Sequence, residues 1–498
     1  METSPSLRLS KSRFVAGSQC HKLLWLKVHE PAAVELQPDK VLQDRFDQGA
    51  IVGALARERF PGGVLIDLPH NAVAERLAST QAAIDAGAPA IFEATFVADD
   101  TFVAVDILER ISGGWRLIEV KSTSSQKEQH VEDAAIQLYV VRACGLQVTA
   151  VEIMHLNKEF RHPDQGDLFC RTDVTVDAEA ALGAIPAEIR NQMAMLPGDM
   201  PEVTIGAHCA DPWDCAFHDR CWPNDRDHIA KLYYIGKKAY DFMAKGVQSL
   251  HDLPPNHKCP AAAQRQLKSI REERIIVEPG LSEALAAFDG RLGFLDFETV
   301  ARAVPVWNGL GPWGQSTAQF SYHALQADGS YSHAAWLAEG PVDPRPAIAQ
   351  ALVAATAGED KIVMYSPFER RCIRELQVSV PALKDELAEL EAKLIDLLPV
   401  LRENVYHPDF RGSFSIKAVL NPLVPELSYN DLVIVDGQTA SVEIARLLFV
   451  AQRIPPQERE RIRQDLLDYC KQDTWAMVKL LERLRRLASG ETAILHLV

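Results

Sequence analysis

Two carboxylates, a lysine and a glutamine stand close together in the first third of the sequence. Asp106 follows the alternating apolar run FVAV, and Glu119 and Lys121 lie two residues apart in the next run, WRLIEVK. Side chains alternate along a strand, so Glu119 and Lys121 share a face, and pairing of the two strands would bring Asp106 to them. Carboxylates hold Mg²⁺, which activates water, and an ammonium stabilises the attacked phosphate. The pattern predicts metal-assisted phosphodiester hydrolysis, with Gln137 on the next helix orienting phosphate or metal-bound water. The alternative is a surface hairpin with a cross-strand ion pair.

Three cysteines lie within thirteen residues in the segment HCADPWDCAFHDRCWP. Five residues separate Cys209 from Cys215 and Cys215 from Cys221, and His208 and His218 lie nearby. Structural cysteines do not require such clustering, whereas soft-metal or iron-sulfur ligation does. Because three cysteines and one histidine also form a legitimate zinc set, zinc is the rival interpretation.

A second pair of alternate carboxylates occurs in GFLDFET, where Asp296 and Glu298 share one face of a predicted buried strand. Two carboxylates that point the same way repel each other unless a cation lies between them. Far downstream, DYCKQDTWAM places Tyr469 and Asp473 four residues apart, on one face of a predicted helix. A phenol in that position can orient water beside a metal held by the aspartate. Taken singly, each piece is equally typical of a capped helix or a buried polar pair.

The order of the first set, an aspartate, then E-x-K, then a glutamine on a helix, resembles the PD-(D/E)XK nucleases of the RecB type over about the first 225 residues. The resemblance implies Asp106 and Glu119 as metal ligands, Lys121 as the catalytic lysine and Gln137 as the family's glutamine, with Glu93 a candidate for an upstream acidic residue. Members with an iron-sulfur cluster use one cysteine before the nuclease core and three after it. The resemblance therefore implies a 4Fe-4S cluster held by four cysteines: Cys20, Cys209, Cys215 and Cys221.

The second set resembles the DnaQ-like exonucleases of the DEDD type, tyrosine subclass, over about residues 290–490. That resemblance implies an RNase H-like fold in which Asp296, Glu298 and Asp473 bind two Mg²⁺ or Mn²⁺ ions and Tyr469 positions the attacking water. At the middle motif, YSPFERRCI offers Glu369 in place of the family's aspartate, and Asp396 is a further acidic candidate. The whole arrangement resembles a prokaryotic family that fuses the two modules.

The elements that would carry these residues predict an α/β protein with three parts. By the two resemblances, residues 1–225 would form a PD-(D/E)XK restriction-endonuclease-like core with its cysteine clamp and residues 289–498 an RNase H-like domain. Residues 226–288 are predicted to form a small helical connector. A length of 498 residues requires several cores, and 47% hydrophobic with 24% charged residues is typical of globular proteins.

The distribution of charged and apolar residues indicates which partners the protein could bind. The net charge is −16, yet nine Lys or Arg against four Asp or Glu fall between Lys231 and Ile275. On a predicted helix there, Arg265, Lys268 and Arg271 could follow a phosphate backbone, or they form a solvated face. No apolar stretch approaches the roughly 18 residues that span a bilayer, and the first residues lack the apolar core of a secretory signal. Nine scattered cysteines do not suggest a disulfide framework. We therefore expect a cytoplasmic protein with no membrane partner.

Together with the two resemblances, these observations predict a metal-dependent nuclease, an exonuclease rather than an endonuclease, that hydrolyses phosphodiester bonds of DNA or RNA in processing, repair or defence. The alternative is a nucleic-acid-binding scaffold in which one or both metal sites are inactive.

Overall fold

The computed structural model describes residues 8–490, which form two compact units. The first contains the residues up to Trp222 together with Arg302–Gly314, and the second contains Pro223–Ala301 and the residues from Gln315 onward. Both units combine helices with β-sheets, which confirms the α/β class. None of the described helices is long and apolar enough to cross a membrane.

Within residues 8–222 and 302–314, the first unit has seven strands and eight α-helices. The strands are β1 (Leu9–Ser10), β2 (Val64–Leu65), β3 (Ala90–Ala98), β4 (Thr101–Ile111), β5 (Gly114–Lys121), β6 (Val148–Leu156) and β7 (Phe169–Asp173). The helices are α1 (Lys11–Gln19), α2 (His21–His29), α3 (Lys40–Arg57), α4 (Val73–Asp85), α5 (Glu128–Ala143), α6 (Thr175–Ala181), α7 (Ile185–Met195) and α8 (His218–Cys221).

One sheet organises this unit, in the order β2-β3-β4-β5-β6-β7, with β1 paired to β4. Strands β3, β4 and β5 are antiparallel neighbours, whereas β5 and β6 are parallel. A parallel pair needs a crossover, and α5 provides it. The apolar face of α5 is buried on the sheet, in a core that includes Val105, Leu117 and Ile153.

The segment Arg302–Gly314 is held to the first unit by specific contacts. The Ala303 amide donates to Gln48 Oε1 at 3.2 Å, and Arg302 pairs with Asp44 at 2.8 Å. The Trp313 indole donates to the carbonyl of Ser122 at 2.5 Å. Because Ser122 directly follows Lys121, this segment supports the end of β5.

The part of the second unit that the structure describes, up to residue 490, has seven strands and ten α-helices. The strands are β8 (Ile276–Val277), β9 (Leu292–Ala301), β10 (Gln315–Leu325), β11 (Tyr331–Leu337), β12 (Lys361–Met364), β13 (Leu394–Asp396) and β14 (Val405–Tyr406). The helices are α9 (Lys238–Ala244), α10 (Ala261–Glu272), α11 (Leu281–Leu285), α12 (Arg345–Ala355), α13 (Phe368–Ser379), α14 (Lys384–Ala392), α15 (Leu397–Asn404), α16 (Ile416–Leu423), α17 (Gly437–Phe449) and α18 (Pro456–Ala488).

The larger sheet of the second unit has the order β11-β10-β9-β12-β13. Strands β9, β10 and β11 form an antiparallel meander, and β12 and β13 join in parallel. Central strand β9 is almost entirely buried because it has a strand on each side and helices α17 and α18 pack against it. Strands β8 and β14 form a separate two-stranded sheet.

The second unit differs from the sequence expectation at two places. The run LIDLLPV has apolar residues at helical spacing, which predicts one helix. Instead Asp396 ends strand β13, and its carboxylate caps α15 by accepting from the Leu398 amide at 2.9 Å. On α10, Arg265 donates to the Arg402 carbonyl at 2.5 Å and Arg271 to the Leu253 carbonyl at 2.7 Å. These two guanidinium groups therefore hold the fold together, and of the three spaced cations only Lys268 lies exposed.

Candidate functional sites

The first site lies in the first unit, on the two neighbouring strands β4 and β5. Asp106 lies within β4, and its Oδ2 accepts from the Val120 amide on β5 at 2.7 Å. Glu119 is buried on β5, and Lys121 donates to its Oε1 at 2.9 Å. The structure thus brings Asp106, Glu119 and Lys121 together, as strand alternation predicted.

Two further charged residues, Lys11 and Asp133, contact Glu119 and Lys121. Lys11, at the start of α1, donates to Glu119 Oε1 at 2.6 Å, and Asp133 on α5 forms a short ion pair with Lys121. Burial acts to raise the pKa of Glu119, yet the two ammonium groups hold it below its ordinary value. Burial likewise acts to lower the pKa of Lys121, but Glu119 and Asp133 raise it. Glu119 is therefore charged and Lys121 protonated throughout the neutral range.

The pKa of Asp106 is raised, whereas the pKa of Glu119 is lowered. Burial, followed by the negative charge of Glu119, raises the pKa of Asp106 to about 7. The negative charge of Glu93 on β3 also acts to raise the pKa of Asp106. The backbone of Glu93 has φ +58, a left-handed conformation that is uncommon for a residue other than glycine. The carboxylate of Glu93 lies 3.7 Å from the buried guanidinium of Arg76. A divalent cation next to Asp106 and Glu119 would favour ionisation of both carboxylates.

Gln137 on α5 contacts the same carboxylate. Its Nε2 donates to Glu119 Oε2 at 2.7 Å and to the Asp133 carbonyl at 2.8 Å. Its Oε1 is buried and has no hydrogen-bond partner. A buried acceptor without a donor is costly, and a metal-bound water beside Glu119 would supply one. The residues of this site therefore fit a hydrated divalent cation.

The four cysteines line one small cavity of the first unit. Cys20 lies between α1 and α2, while the other three come from the segment after α7: Cys209, Cys215 and Cys221. Gln19 ties the two parts together, since its Nε2 donates to the carbonyls of His208 at 2.7 Å and Trp213 at 2.6 Å. Phe217 packs beneath them against Leu23 and Leu26. Residues 189 positions apart in the chain thus converge on this cavity.

His208 and His218 line the same cavity as the four cysteines. The cavity therefore offers thiolate and imidazole ligands of the kind that hold zinc, as well as four thiolates of the kind that hold an iron-sulfur cluster.

The second site lies in the second unit, between strand β9 and helix α18. Asp296 and Glu298 come from alternate positions of β9, and Asp473 from the middle of α18. Asp296 is half-buried, and Glu298 and Asp473 are buried. Burial and the neighbouring carboxylates raise the pKa values of Asp296 and Glu298 well above their ordinary range, and burial raises the pKa of Asp473 to about 6. A cluster of like charges in a dry site is costly until a cation binds.

Glu369 extends the carboxylate set. It lies in the first turn of α13, is buried, and shares a hydrogen bond with Asp296. Burial raises the pKa of Glu369 to about 8, and its Oε2 has no hydrogen-bond partner. The neighbouring Tyr365 hydroxyl points elsewhere, to the Phe414 carbonyl at 2.7 Å. Asp396 acts on Glu369 only through its charge, because its carboxylate caps α15.

Tyr469 lies one helical turn before Asp473 and forms a polar cluster with two residues from the preceding segment. Lys417 donates to the Tyr469 hydroxyl at 2.9 Å and to the Val435 carbonyl at 2.6 Å. The Tyr429 hydroxyl donates to Asp473 Oδ1 at 2.5 Å. Burial raises the pKa values of both tyrosines above the ordinary range, so both remain neutral hydrogen-bond donors. The positive charge of Lys417 also acts to lower the pKa values of Glu298 and Asp473.

Sequence reasoning missed several of these contacts. Lys11 and Asp133 carry no local signal, because neither belongs to the E-x-K pattern. Lys417 and Tyr429 lie in FSIKAVLNPLVPELSY, where no spacing pattern links them to Tyr469 or Asp473. Cys470, between Tyr469 and Asp473, is buried with its Sγ 3.3 Å from Asp296 Oδ2.

Comparison with known families matches a stretch of the chain that lies mostly in the second unit and includes the segment Arg302–Gly314 of the first. Residues 293–415 match a family described as a domain of unknown function, DUF2779. The match begins within β9 and includes Asp296, Glu298 and Glu369, whereas Tyr469 and Asp473 lie beyond it. It covers about a quarter of the 498 residues, and its description assigns no activity. No curated protein matches the chain.

Proposed function

We propose that this protein is a metal-dependent nuclease with two separate catalytic sites. The observation that carries the proposal is the second site, where ligand oxygens of Asp296, Glu298 and Asp473 lie within 4.8 Å of one another. Three largely buried carboxylates that lie this close together do not stabilise the fold, because each raises the free-energy cost of ionising the others. Hard divalent cations prefer such an all-oxygen set. Phosphodiester hydrolysis is the chemistry for which paired metal ions between carboxylates are suited.

In the second unit, we propose an RNase H-like module of the DnaQ type. Asp296, Glu298 and Asp473 would hold two Mg²⁺ or Mn²⁺ ions, which supply Lewis acidity and a metal-activated water when bound. Tyr469 would orient that water, and its hydroxyl is itself held by Lys417. Glu369, with one oxygen unpartnered beside Asp296, would complete the ligand set. Tyr429 keeps Asp473 in position through its hydrogen bond.

In the first unit, we propose a PD-(D/E)XK module of the RecB type. Asp106 and Glu119 would hold the metal, and Gln137 would hold a metal-bound water through its free Oε1. Lys121 is fixed between Glu119 and Asp133, so that its ammonium is oriented before substrate binds. Such an oriented cation stabilises the charge that develops on the phosphate during hydrolysis.

We further propose that the four cysteines hold a 4Fe-4S cluster. Support comes from the convergence of the four cysteines, from two remote segments of the chain, on one cavity. When bound, the cluster would join α1 to the segment after α7, and its role would be structural. Ligation by cysteines that are remote in sequence contributes folding free energy to the segments they join.

Cleavage of labelled nucleic acid tests the proposal. We expect the full chain to release nucleotides from single- or double-stranded DNA or RNA with Mg²⁺ or Mn²⁺, and not with EDTA. The Asp473→Asn variant should lose the activity of the second site, whereas Asp468→Asn should not, because Asp468 lies exposed on the same helix. Strand binding in EDTA without any metal-dependent release would instead identify the protein as a scaffold.

A further inference from the structure

Lys11 approaches the first site from a distant part of the chain. Its Nζ lies 2.6 Å from Glu119 Oε1, the same oxygen that receives Lys121 at 2.9 Å. One carboxylate oxygen thus contacts two ammonium groups. The negative charges of Asp106 and Asp133 also act to raise the pKa of Lys11. Its side chain is 26% exposed, so the ammonium is largely withdrawn from solvent.

The backbone around Lys11 is fixed by the strand that carries Asp106. Strand β1 pairs in parallel with β4, with Leu9 opposite Thr101 and Ser10 opposite Phe102. Ser10 then caps α1 by accepting from the Arg13 amide at 3.2 Å, and Lys11 is the first residue of the helix. A cation at a helix N-terminus is disfavoured by the helix dipole, and the first turn of α1 contains no acidic residue. Helix stability therefore does not explain a lysine at this position.

We propose that Lys11 is the second cation of the first site and takes the place of a second metal ion, so that Asp106 and Glu119 hold a single divalent ion. This inference rests on the proposed nuclease function. The first site contains three carboxylates, Asp106, Glu119 and Asp133, against two ammonium groups, whereas Glu93 is paired with Arg76. One divalent ion leaves a net charge of plus one, which a single phosphodiester neutralises. Two divalent ions would leave plus three.

The second site shows the contrasting arrangement. Among the described residues, four carboxylates, those of Asp296, Glu298, Asp473 and Glu369, lie near one ammonium, that of Lys417. Asp436, which caps α17, adds a further negative charge that acts on Glu298. The four carboxylates and Lys417 alone need two divalent ions to reach the same net charge of plus one. Lys11 would thus provide in the first site the positive charge that a second metal ion provides in the other. It is a positioning residue, because it acts on the metal and the phosphate through Glu119.

Titration with Mn²⁺, followed by electron paramagnetic resonance, tests the inference on the full chain with the second site disabled by Asp296→Asn and Asp473→Asn. In this background we expect one bound Mn²⁺ that disappears on Asp106→Asn. Lys11→Met should bind this ion at least about tenfold more tightly, because a positive charge next to a ligand oxygen has been removed. Lys11→Arg should keep the original affinity. Lys158→Met, an exposed lysine of the same unit, is the matched control and should change nothing.

The outcomes separate this inference from the proposed function. Two Asp106-dependent ions in the background protein would overturn the role of Lys11, as would an unchanged affinity in Lys11→Met. Absence of any Asp106-dependent ion would overturn the metal site itself and the inference with it. The stoichiometry is measured with Lys11 intact, so the inference stays falsifiable even if Lys11→Met does not fold. Cleavage provides a second readout: Lys11→Met should bind metal better and yet cleave more slowly, with partial recovery in Lys11→Arg.

Discussion

Replacing Asp473 by asparagine should make the metal-free protein more stable at neutral pH. Asp473 is buried, and burial raises its pKa from 3.8 to about 6. Ionisation of its carboxylate therefore costs more free energy in the folded protein than in the unfolded chain. At about 1.4 kcal/mol for each tenfold change, this difference amounts to about 3 kcal/mol. Asparagine has nearly the same shape and retains the oxygen that accepts from Tyr429, so removal of the charge is the main change.

The pH dependence follows from the direction of the pKa change. Below about pH 3.8 the group is protonated in both states and contributes nothing. Between about 3.8 and 6 the unfolded chain alone is ionised, so the penalty grows as pH rises, and above 6 it is complete. The stability gained by Asp473→Asn should thus be about 3 kcal/mol at pH 8 and nearly absent at pH 4.

Urea unfolding of the second unit, in EDTA and in Mg²⁺, measures this effect. In EDTA at pH 8 we expect a higher midpoint for Asp473→Asn than for wild type. With Mg²⁺ the order should reverse, because wild type gains stability from binding and the variant does not. The exposed Asp468→Asn serves as the control and should follow wild type under both conditions. An Asp473→Asn protein that is less stable than wild type in EDTA, or that is still stabilised by Mg²⁺, would refute the reasoning.

Three further predictions concern other parts of the chain. Because the pKa of Asp106 is about 7, Mn²⁺ affinity of the first site should fall about tenfold per pH unit below 7 and level off above it; equal affinities at pH 6 and pH 8 would contradict this. Cys20→Ser should lower the iron content of anaerobically purified protein, whereas Cys144→Ser, at an exposed cysteine of the same unit, should not; stoichiometric zinc in a colourless wild type would exclude the cluster. Gly293→Ala should destabilise the second unit by roughly 1–3 kcal/mol in urea unfolding, since an added Cβ would lie 1.9 Å from the Tyr322 hydroxyl; an unchanged midpoint would show that Tyr322 can move away.

Much of the local structure could be predicted because it is encoded by short-range periodicity. Alternating apolar residues predict β4 and β5, the four-residue spacing of Tyr469 and Asp473 is typical of the helix α18, and GFLDFET predicts the buried strand β9. The same alternation placed Glu119 and Lys121 on one face. These features depend only on neighbours in the chain, so a single sequence reveals them.

The remainder depended on contacts between distant segments. Lys11 reaches Glu119 across 108 positions, and Lys417 reaches Tyr469 across 52. No periodicity specifies such contacts, because they follow from how strands and helices pack in three dimensions. The cations of α10 show the converse: Arg265 and Arg271 have the spacing of a phosphate-binding face, yet tertiary packing uses both as donors to backbone carbonyls.

The most direct test of the central claim is metal-dependent release of nucleotides by four forms of the full chain: wild type, Asp473→Asn, Lys121→Met, and the two substitutions combined. If two independent nuclease sites exist, each single variant retains one of two activities that differ in substrate or product, and the combined variant has neither while still folding. Undiminished release by the combined variant, or loss of all release in either single variant, would contradict the account.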